Sequence, residues 1–337
     1  MELDERKRKI LRAVINAYIE TGEPIGSKAL LSRENLNVSS ATIRNEMSEL
    51  EQLGFLCKPH TSAGRIPSNE GYRFYVTTAL DNYNLSKEEK DILSPAIDNS
   101  ASIKEIVDLM ANSIALFSGC TVFALSPLCS DGCFTFEIAP VGKQGIAIMA
   151  ISSGNTVKTC FSKIAHNVNA EDCRKLSKIF NDILSGFSVE HIGNVRLLLL
   201  EHEIRTHLPN YLPICVSVGK LVEQLKQYDL HISGTSNLLL YPEFANIEAA
   251  RDFLNLLNRR EDIISALLDD FYKDNITIKI GDENNIFNSP HASMIAIGAD
   301  GKVPMILGVM GPTRMYYSRI IAGCNHILNY LKNNITE

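Results

Sequence analysis

The spacing of apolar residues predicts two short helices at the start of the chain. Apolar side chains recur every three or four residues over 5–20, which is the period of an amphipathic helix. Gly22 and Pro24 then end that helix. Ser27 is placed to cap a second helix over 28–34.

A third helix and a two-stranded ribbon are predicted next. After a turn over 35–38, Ser39 is placed to cap a helix that runs to about Leu53. The segments 55–57 and 64–67 flank a polar stretch between them. That pattern indicates two strands joined by a polar tip.

The remainder of the chain shows a mixture of helical and strand patterns. Helical spacing is found at 69–93, 102–117, 170–185, 195–227, 246–271 and 316–333. Strand patterns are found at 120–125, 134–140, 144–151, 156–164, 275–280, 292–298 and 303–310. Strands, then a helical block, then more strands indicate an α+β multidomain fold in which a sheet domain carries a helical insertion.

Charge is distributed unevenly along the chain. The net charge is −6, yet residues 1–76 carry 11 Lys and Arg against 10 Asp and Glu, so the acidic excess lies in the rest. A less acidic N-terminal segment suits contact with phosphates. No apolar run reaches the length of a membrane span, and the mixed charges of the N-terminus do not form a secretory signal. We therefore expect a cytoplasmic protein without membrane contact.

Residues that could support catalysis or bind metal are scattered. The eight cysteines form no CxxC pair, and only Cys129 and Cys133 lie close together, without histidines nearby. We expect reduced, mostly buried cysteines. Glu201 and Glu203 flank His202, but residues two positions apart do not share a helix face, so this group does not indicate a catalytic or metal site. The sequence predicts no enzyme, no metal site and no cofactor.

The third predicted helix has an apolar face and a polar face. Ile43, Met47 and Leu50 share the apolar face. The outward or flanking residues are Ala41, Arg44, Asn45, Ser48 and Gln52. Arginine can bind guanine, and asparagine adenine, through two hydrogen bonds, and the N–H groups at the capped helix start suit a phosphate. A simple solvated face is the alternative.

The predicted ribbon is basic and rich in hydroxyl groups. Lys58, His60 and Arg65, with the hydroxyls of Thr61 and Ser62, can contact phosphates or enter the minor groove. An ordinary exposed hairpin explains these residues equally well. A short helix, a tight turn, a polar helix face and a basic ribbon together follow the order of a winged helix-turn-helix. The predicted DNA-contacting residues are Ser39, Ser40, Thr42, Arg44, Asn45, Ser48, Lys58, His60, Thr61 and Arg65.

Five blocks of the sequence resemble the HrcA heat-inducible transcription repressors of bacteria. The blocks are Thr21–Ser27, Val38–Met47, Lys58–Pro67, Gly234–Leu239 and Gly308–Arg319. Because the blocks extend over nearly the whole chain, the resemblance is far more specific than any short motif. Cys57 departs from the pattern, since this family more often has a charged residue there.

The resemblance implies a homodimeric repressor that binds double-stranded DNA. Its target would be an inverted-repeat operator, called CIRCE, ahead of chaperone operons. The resemblance also implies control by the chaperonin, which helps the repressor reach its active form. When unfolded protein occupies the chaperonin, less active repressor remains and the operons are released.

The resemblance also implies how the chain is divided. The predicted units are a winged helix at 1–76, a linker helix at 77–101, a GAF-like domain at 102–169 and 228–337, and an inserted dimerisation domain at 170–227. In the inserted domain, apolar stripes at 195–200 and 221–225 fit either a dimer contact or the monomer core.

A second hypothesis is that the chain is a ligand-sensing or enzymatic GAF-type protein whose winged helix contacts only proteins. The turn Gly311–Arg314 lacks the spacing of a Walker loop or a dinucleotide fingerprint. We predict a strand-to-helix turn there, with Thr313 capping the last helix. Arg44, Asn45, Lys58 and Arg65 favour DNA binding over the second hypothesis.

Overall fold

The computed structural model describes residues 3–33, 38–60, 63–78, 83–94, 103–127, 134–152, 157–187, 192, 194–225, 228–284, 289–299 and 305–334. These residues form twelve α-helices and ten β-strands. The helices are α1 (Glu5–Thr21), α2 (Ser27–Arg33), α3 (Ser40–Gln52), α4 (Asn69–Thr78), α5 (Lys87–Leu93), α6 (Ile103–Ser118), α7 (Ala170–Leu184), α8 (Asn194–His207), α9 (Ile214–Leu225), α10 (Ile247–Asn258), α11 (Arg260–Lys273) and α12 (Tyr317–Asn334). The strands are β1 (Leu56–Cys57), β2 (Ile66–Pro67), β3 (Thr121–Pro127), β4 (Phe134–Val141), β5 (Gly145–Ser152), β6 (Val157–Lys163), β7 (Tyr228–Ser233), β8 (Ile276–Ile280), β9 (Ala292–Ala299) and β10 (Met305–Pro312).

The first predicted helix is confirmed, and its ends are defined by caps. The carboxylate of Asp4 accepts the backbone N–H of Lys7 at 2.7 Å. At the other end Gly22 has a φ of 68°, and its N–H donates to the carbonyl of Tyr18 at 2.8 Å. This left-handed conformation favours glycine and turns the chain towards α2. The apolar faces of α1, α2 and α3 share one buried core.

The predicted ribbon is also confirmed, and a third segment joins it. β1 and β2 pair antiparallel, with Leu56 opposite Pro67. Ile25 adds a bridge beside β2, because its N–H donates to the carbonyl of Arg65 at 3.0 Å and its carbonyl accepts the Arg65 N–H at 2.8 Å. A side chain at Gly64 would collide with the Ile25 backbone, so this close approach requires glycine.

The next helix, α4, packs against α1 and the ribbon. Its buried residues include Tyr72, Tyr75 and Val76, which lie in the same core as α1 and α3. The rings of Phe55 and Phe74 are 5.2 Å apart and tie the helix to the ribbon. The N-terminal unit therefore extends to the end of α4.

The single linker helix predicted for 77–101 is not observed. A new helix, α5, begins after Ser86, whose hydroxyl accepts the N–H of Glu89 while the Glu89 carboxylate accepts the N–H of Ser86. This capping box starts a separate helix that packs on α6 and α12. The remaining residues of the predicted linker, 79–82 and 95–101, lie outside the described part of the chain.

A five-stranded antiparallel sheet forms the centre of the C-terminal body. Its strand order is β7-β3-β10-β9-β8. In β3, Val122 and Ala124 face the core that includes α6 and α12, whereas Phe123 and Leu125 face the core that includes α10 and α11. Because helices cover both faces, these strands appear in the sequence as nearly continuous apolar runs.

The strands β4, β5 and β6 form a separate three-stranded sheet. This antiparallel sheet packs against α7 and α9, and α8 contacts both of those helices. The amide of Asn181 in α7 donates to the carbonyl of Phe136 and accepts its N–H, both at 2.8 Å. The hydroxyl of Ser177 accepts the N–H of Ile138 at 2.9 Å. Side chains of α7 thus satisfy the outer edge of β4.

The core around α7, α8 and α9 includes strands that lie before the predicted boundary at 170. From the sequence, residues 134–169 are predicted to belong to the GAF-like domain, and the insertion is predicted to begin at 170. In the structure, strands at 134–163 share a core with helices at 170–225. An alternating pattern shows that a segment is extended, but it does not show which strands are its partners, and here β4 and β5 pair with each other through a tight hairpin.

The turn before the last helix also differs from the prediction. α12 begins at Tyr317, four residues after Thr313, so Thr313 does not cap it. The Thr313 N–H donates instead to the carbonyl of His291 at 2.9 Å, and its carbonyl accepts the Tyr317 hydroxyl at 2.7 Å. The predicted strand-to-helix turn is present, but other atoms hold it.

Candidate nucleic-acid interface

The start of α3 is held by a side-chain cap. The hydroxyl of Ser39 accepts the backbone N–H of Thr42 at 3.1 Å, and the two hydroxyl oxygens are 2.9 Å apart. Ser40 is the first helical residue and is half-buried. Two of the predicted contact residues, Ser39 and Thr42, are thus engaged with each other.

The exposed face of α3 carries the base-reading candidates. Ile43, Met47 and Leu50 are buried, as the helical spacing predicts. Arg44 and Asn45 are exposed on the other side, and Ser48 is half-buried. Within the part of the chain that the structure describes, neither Arg44 nor Asn45 has a hydrogen bond or ion pair. Both side chains are free to bind an external partner.

A buried carboxylate that the sequence analysis missed holds α3 on α1. Glu46 is 4% exposed; it pairs with Arg6, and its Oε2 lies 3.2 Å from the Nζ of Lys7. Lys7 also lies 2.9 Å from Asp4 and 3.0 Å from Glu49, and its contacts with Asp4, Glu49 and Glu46, led by that with Asp4, raise its pKa. Helical spacing places Glu46 beside the apolar face, which is the signal that could have found it.

The ribbon presents its basic residues unequally. Lys58 and His60 are exposed, whereas Thr61 lies outside the described residues. The side chain of Arg65 is only 16% exposed, and its Nη2 lies 2.8 Å from Oε2 of Glu51. The Nζ of Lys58 lies 3.4 Å from the other oxygen of Glu51. Two ribbon cations therefore share one carboxylate at the end of α3.

The N-terminal unit contacts the body where α1 ends. Arg314, in the turn after β10, donates from Nε to the Oε1 of Glu243 at 2.5 Å, and its guanidinium lies 5.4 Å from the ring centre of Tyr241. A side chain at Gly22 would come within 3.4 Å of the Arg314 Cζ. Two of the sequence blocks that are far apart in the chain thus meet at this junction.

A second junction links α4 to the edge of the large sheet. Arg73 donates to the carboxylate of Glu283, at 2.9 Å for Oε1, and to the carbonyl of Ile278 at 2.6 Å. Burial favours a higher pKa for Glu283, but the Arg73 hydrogen bond, a backbone N–H and the Arg73 charge lower it below the ordinary value. The amide of Asn69 also donates to the carbonyl of Pro290 at 3.4 Å.

The inserted unit has both buried and exposed apolar residues on its helices. The exposed ones are Val195 (72%), Leu198 (64%), Leu199 (52%) and Val216 (69%). Those in its core are Leu200, Leu221, Val222 and Leu225. Between α8 and α9 lies an open cavity of about 340 Å³, lined by Leu197, Leu198, Leu200, Glu201 and Cys215. The monomer core thus accounts for the buried residues, while the exposed ones have no such explanation within the described chain.

Histidine and cysteine do not gather into a metal site in the described residues. No group of three His, Cys, Asp or Glu there could hold a metal ion, and Cys129 and Cys133 lie outside them. His231 is 6% exposed, and its Nδ1 lies 2.6 Å from Oδ1 of Asp108, so this pair joins β7 to α6. Among the helices described, none is both long enough and apolar enough to cross a membrane.

The fold combines a small unit that could contact nucleic acid with a larger α+β body. A small N-terminal unit, which offers one exposed polar helix face and a basic ribbon, is docked on a larger α+β body with two sheets. A crystal structure of a protein described as hypothetical shares this fold, with a TM-score of 0.64 over 98% of both chains and 23% sequence identity.

The chain belongs to the HrcA family. The family model described as "HrcA protein C terminal domain" matches residues 104–321. The chain is 36% identical to the "Heat-inducible transcription repressor HrcA" of Acetivibrio thermocellus, over 99% of this chain and 97% of that protein. It is 34% identical to the protein of the same name from Moorella thermoacetica, over 100% of this chain and 99% of that protein.

Proposed function

We propose that this protein represses heat-inducible chaperone operons by binding an inverted-repeat operator in double-stranded DNA as a homodimer. The observation that carries the proposal is the exposed pair Arg44 and Asn45, which have no partner among the described residues and lie on a helix anchored by Glu46. A helix that inserts into the major groove needs such a face, because bidentate contacts to guanine and adenine read the sequence. The names of the relatives support repression as the outcome.

The three helices and the ribbon act in this proposal as a winged helix-turn-helix. Arg44 and Asn45 read base edges, while Ser40 and Ser48 flank them. The backbone N–H groups at the start of α3 suit a phosphate, and the exposed Lys58 and His60 suit the neighbouring backbone. These contacts would add an affinity that depends strongly on salt.

A second copy of the chain would provide the second recognition helix. Exposed apolar side chains, Leu198 and Val216 among them, support a dimer contact through the helices of the inserted unit. A two-fold axis repeats each contact and presents two α3 helices to one DNA face, which matches the symmetry of an inverted repeat.

The body of the protein would carry the regulation. We propose that the two-segment sheet domain is GAF-like and that the chaperonin acts on this body to favour the binding-competent form. Family membership supports this part of the proposal. Repression of bacterial operons would take place in the cytoplasm, where the chromosome lies.

A binding titration tests the proposed function. The full chain is titrated against a labelled inverted-repeat duplex and a scrambled duplex of equal length and composition, at several salt concentrations, with and without chaperonin. We expect tighter binding to the inverted repeat by roughly 10³-fold or more, the usual ratio for a specific regulator. Equal binding to both duplexes would contradict the proposal. Chaperonin should raise the fraction of protein that binds.

A further inference from the structure

Arg65 lies where three parts of the N-terminal unit meet. Its backbone exchanges two hydrogen bonds with Ile25, which belongs to the segment between α1 and α2. Its side chain reaches Glu51 in the last turn of α3. Arg65 therefore connects the ribbon to the helix that the proposed function places in the major groove.

The two cations on Glu51 are held differently. The Arg65 pair is short, at 2.8 Å, with side chains 16% and 28% exposed. The Lys58 contact is longer, at 3.4 Å, and Lys58 is 37% exposed. A largely buried arginine in a short ion pair stays in place, whereas an exposed lysine pair contributes little and exchanges easily with another anion. Lys58 can thus turn to a phosphate, but Arg65 cannot do so without leaving the protein interior.

We propose that Glu51 and Arg65 form a joint that sets the angle of the ribbon relative to α3, and that Arg65 is a positioning residue. This inference rests on the proposed function, and it divides the ribbon cations into two roles. Lys58 and His60 supply the contacts to phosphate, while the joint aligns those contacts with the bases that α3 reads. Loss of the joint lets the ribbon move, so the phosphate and base contacts no longer form together.

Glu51→Ala gives a test in which electrostatic competition and positioning predict opposite changes in operator affinity. Removing a negative charge beside DNA should tighten binding if Glu51 only competes with phosphates for the ribbon cations. If Glu51 holds the joint, Glu51→Ala weakens operator binding by roughly tenfold, about the cost of one lost base contact. Glu51→Gln, which keeps a hydrogen-bond acceptor for Arg65, should restore most of that loss. Unchanged or tighter binding by Glu51→Ala would overturn the proposal.

The salt dependence of binding separates the two ribbon cations. Lys58→Met removes one phosphate contact in each half-site, so for the dimer the slope of log affinity against log salt becomes shallower by about 1.8, which is about 0.9 for each half-site. The matched variant Arg65→Met should weaken operator binding while the slope stays as in the unmodified protein. A slope that becomes shallower by about 1.8 in Arg65→Met, as in Lys58→Met, would show a direct phosphate contact and overturn the positioning role. Glu20→Ala, which removes an exposed carboxylate paired with Arg33 in the same unit, serves as the control.

A measurement without DNA distinguishes failure of the joint from failure of the proposed function. Thermal unfolding is measured for the unmodified protein, Glu51→Ala, Arg65→Met and the double variant. The two substitutions should be coupled, so the loss of stability in the double variant should be smaller than the sum of the losses in the single variants. Additive effects would overturn the joint even if the protein binds its operator. If the unmodified protein binds both duplexes equally while the effects are coupled, the proposed function fails and the joint remains.

Discussion

Replacing Arg44 by alanine isolates the base contact that the proposed function requires. The Arg44 side chain is exposed and has no partner among the described residues. Neither a core contact nor an ion pair described there is lost, and alanine is a good helix former. The free energy of unfolding should therefore stay within about 0.5 kcal/mol of the unmodified value. Any large effect must come from the complex with DNA.

The size of that effect follows from the chemistry of the guanidinium group. One good bidentate contact to a base provides about 1–3 kcal/mol of discrimination. In a symmetric dimer the contact occurs once in each half-site, so the loss applies twice to the full operator. We expect a roughly 5- to 150-fold weaker affinity for each half-site and a larger total loss on the inverted repeat.

Fluorescence anisotropy with a set of labelled duplexes measures this prediction. Each base pair of one half-site is replaced in turn, and the affinities of the unmodified protein and Arg44→Ala are compared. The unmodified protein should lose affinity at the base pair that Arg44 contacts, and Arg44→Ala should become indifferent to that replacement. If Arg44→Ala keeps full affinity and discrimination, the base-reading role is wrong. Thermal unfolding provides the control for folding.

Three further changes test other parts of the structure. Leu198→Asp should abolish the dimer in sedimentation without much loss of stability, because Leu198 is 64% exposed; a stable dimer would exclude this surface. Leu221→Ala should cost about 2–5 kcal/mol in denaturant unfolding, because Leu221 is fully buried, and a loss below 1 kcal/mol (about one methylene) would contradict that packing. The lowered pKa of Glu283 means that its contribution to stability is complete above the ordinary value of 4.5 and is lost as the pH falls through the lower folded value. The thermal midpoints of the unmodified protein and Glu283→Gln should therefore differ at about pH 6, and the difference should shrink as the pH falls below 4.5; a constant difference would contradict this assignment.

Local periodicity was sufficient to predict the N-terminal unit from sequence. The apolar spacing in α1 and α3 and the polar tip of the ribbon are local signals, and the structure has both helices and both strands near the predicted limits. The exposed positions of Arg44 and Asn45 follow from the same geometry, since Ile43 and Met47 fix the buried face.

Local periodicity did not predict which distant strands or charged residues pair with each other. β3 pairs with β7 and β10 whereas β4 pairs with β5, and the strand patterns do not show these partners, so the sequence places a boundary at 170 although β4, β5 and β6 share a core with α7, α8 and α9. Charged residues raise the same problem. Glu51 looks like a surface residue in the sequence, but it holds Arg65. Helical spacing places Glu46 beside the apolar face of α3, but it does not show that Glu46 pairs with Lys7 of α1.

The spacing of the operator half-sites provides the most direct test of the central proposal, that a symmetric dimer reads DNA with two α3 helices. The two helices of a dimer meet the same face of the duplex only when the half-sites are separated by whole helical turns. Binding is therefore measured on the original inverted repeat, on a repeat with about five base pairs inserted at its centre, and on a scrambled duplex. We predict that the half-turn insertion reduces the affinity almost to that of the scrambled duplex. Equal affinity for the original and the interrupted repeat would contradict the proposal.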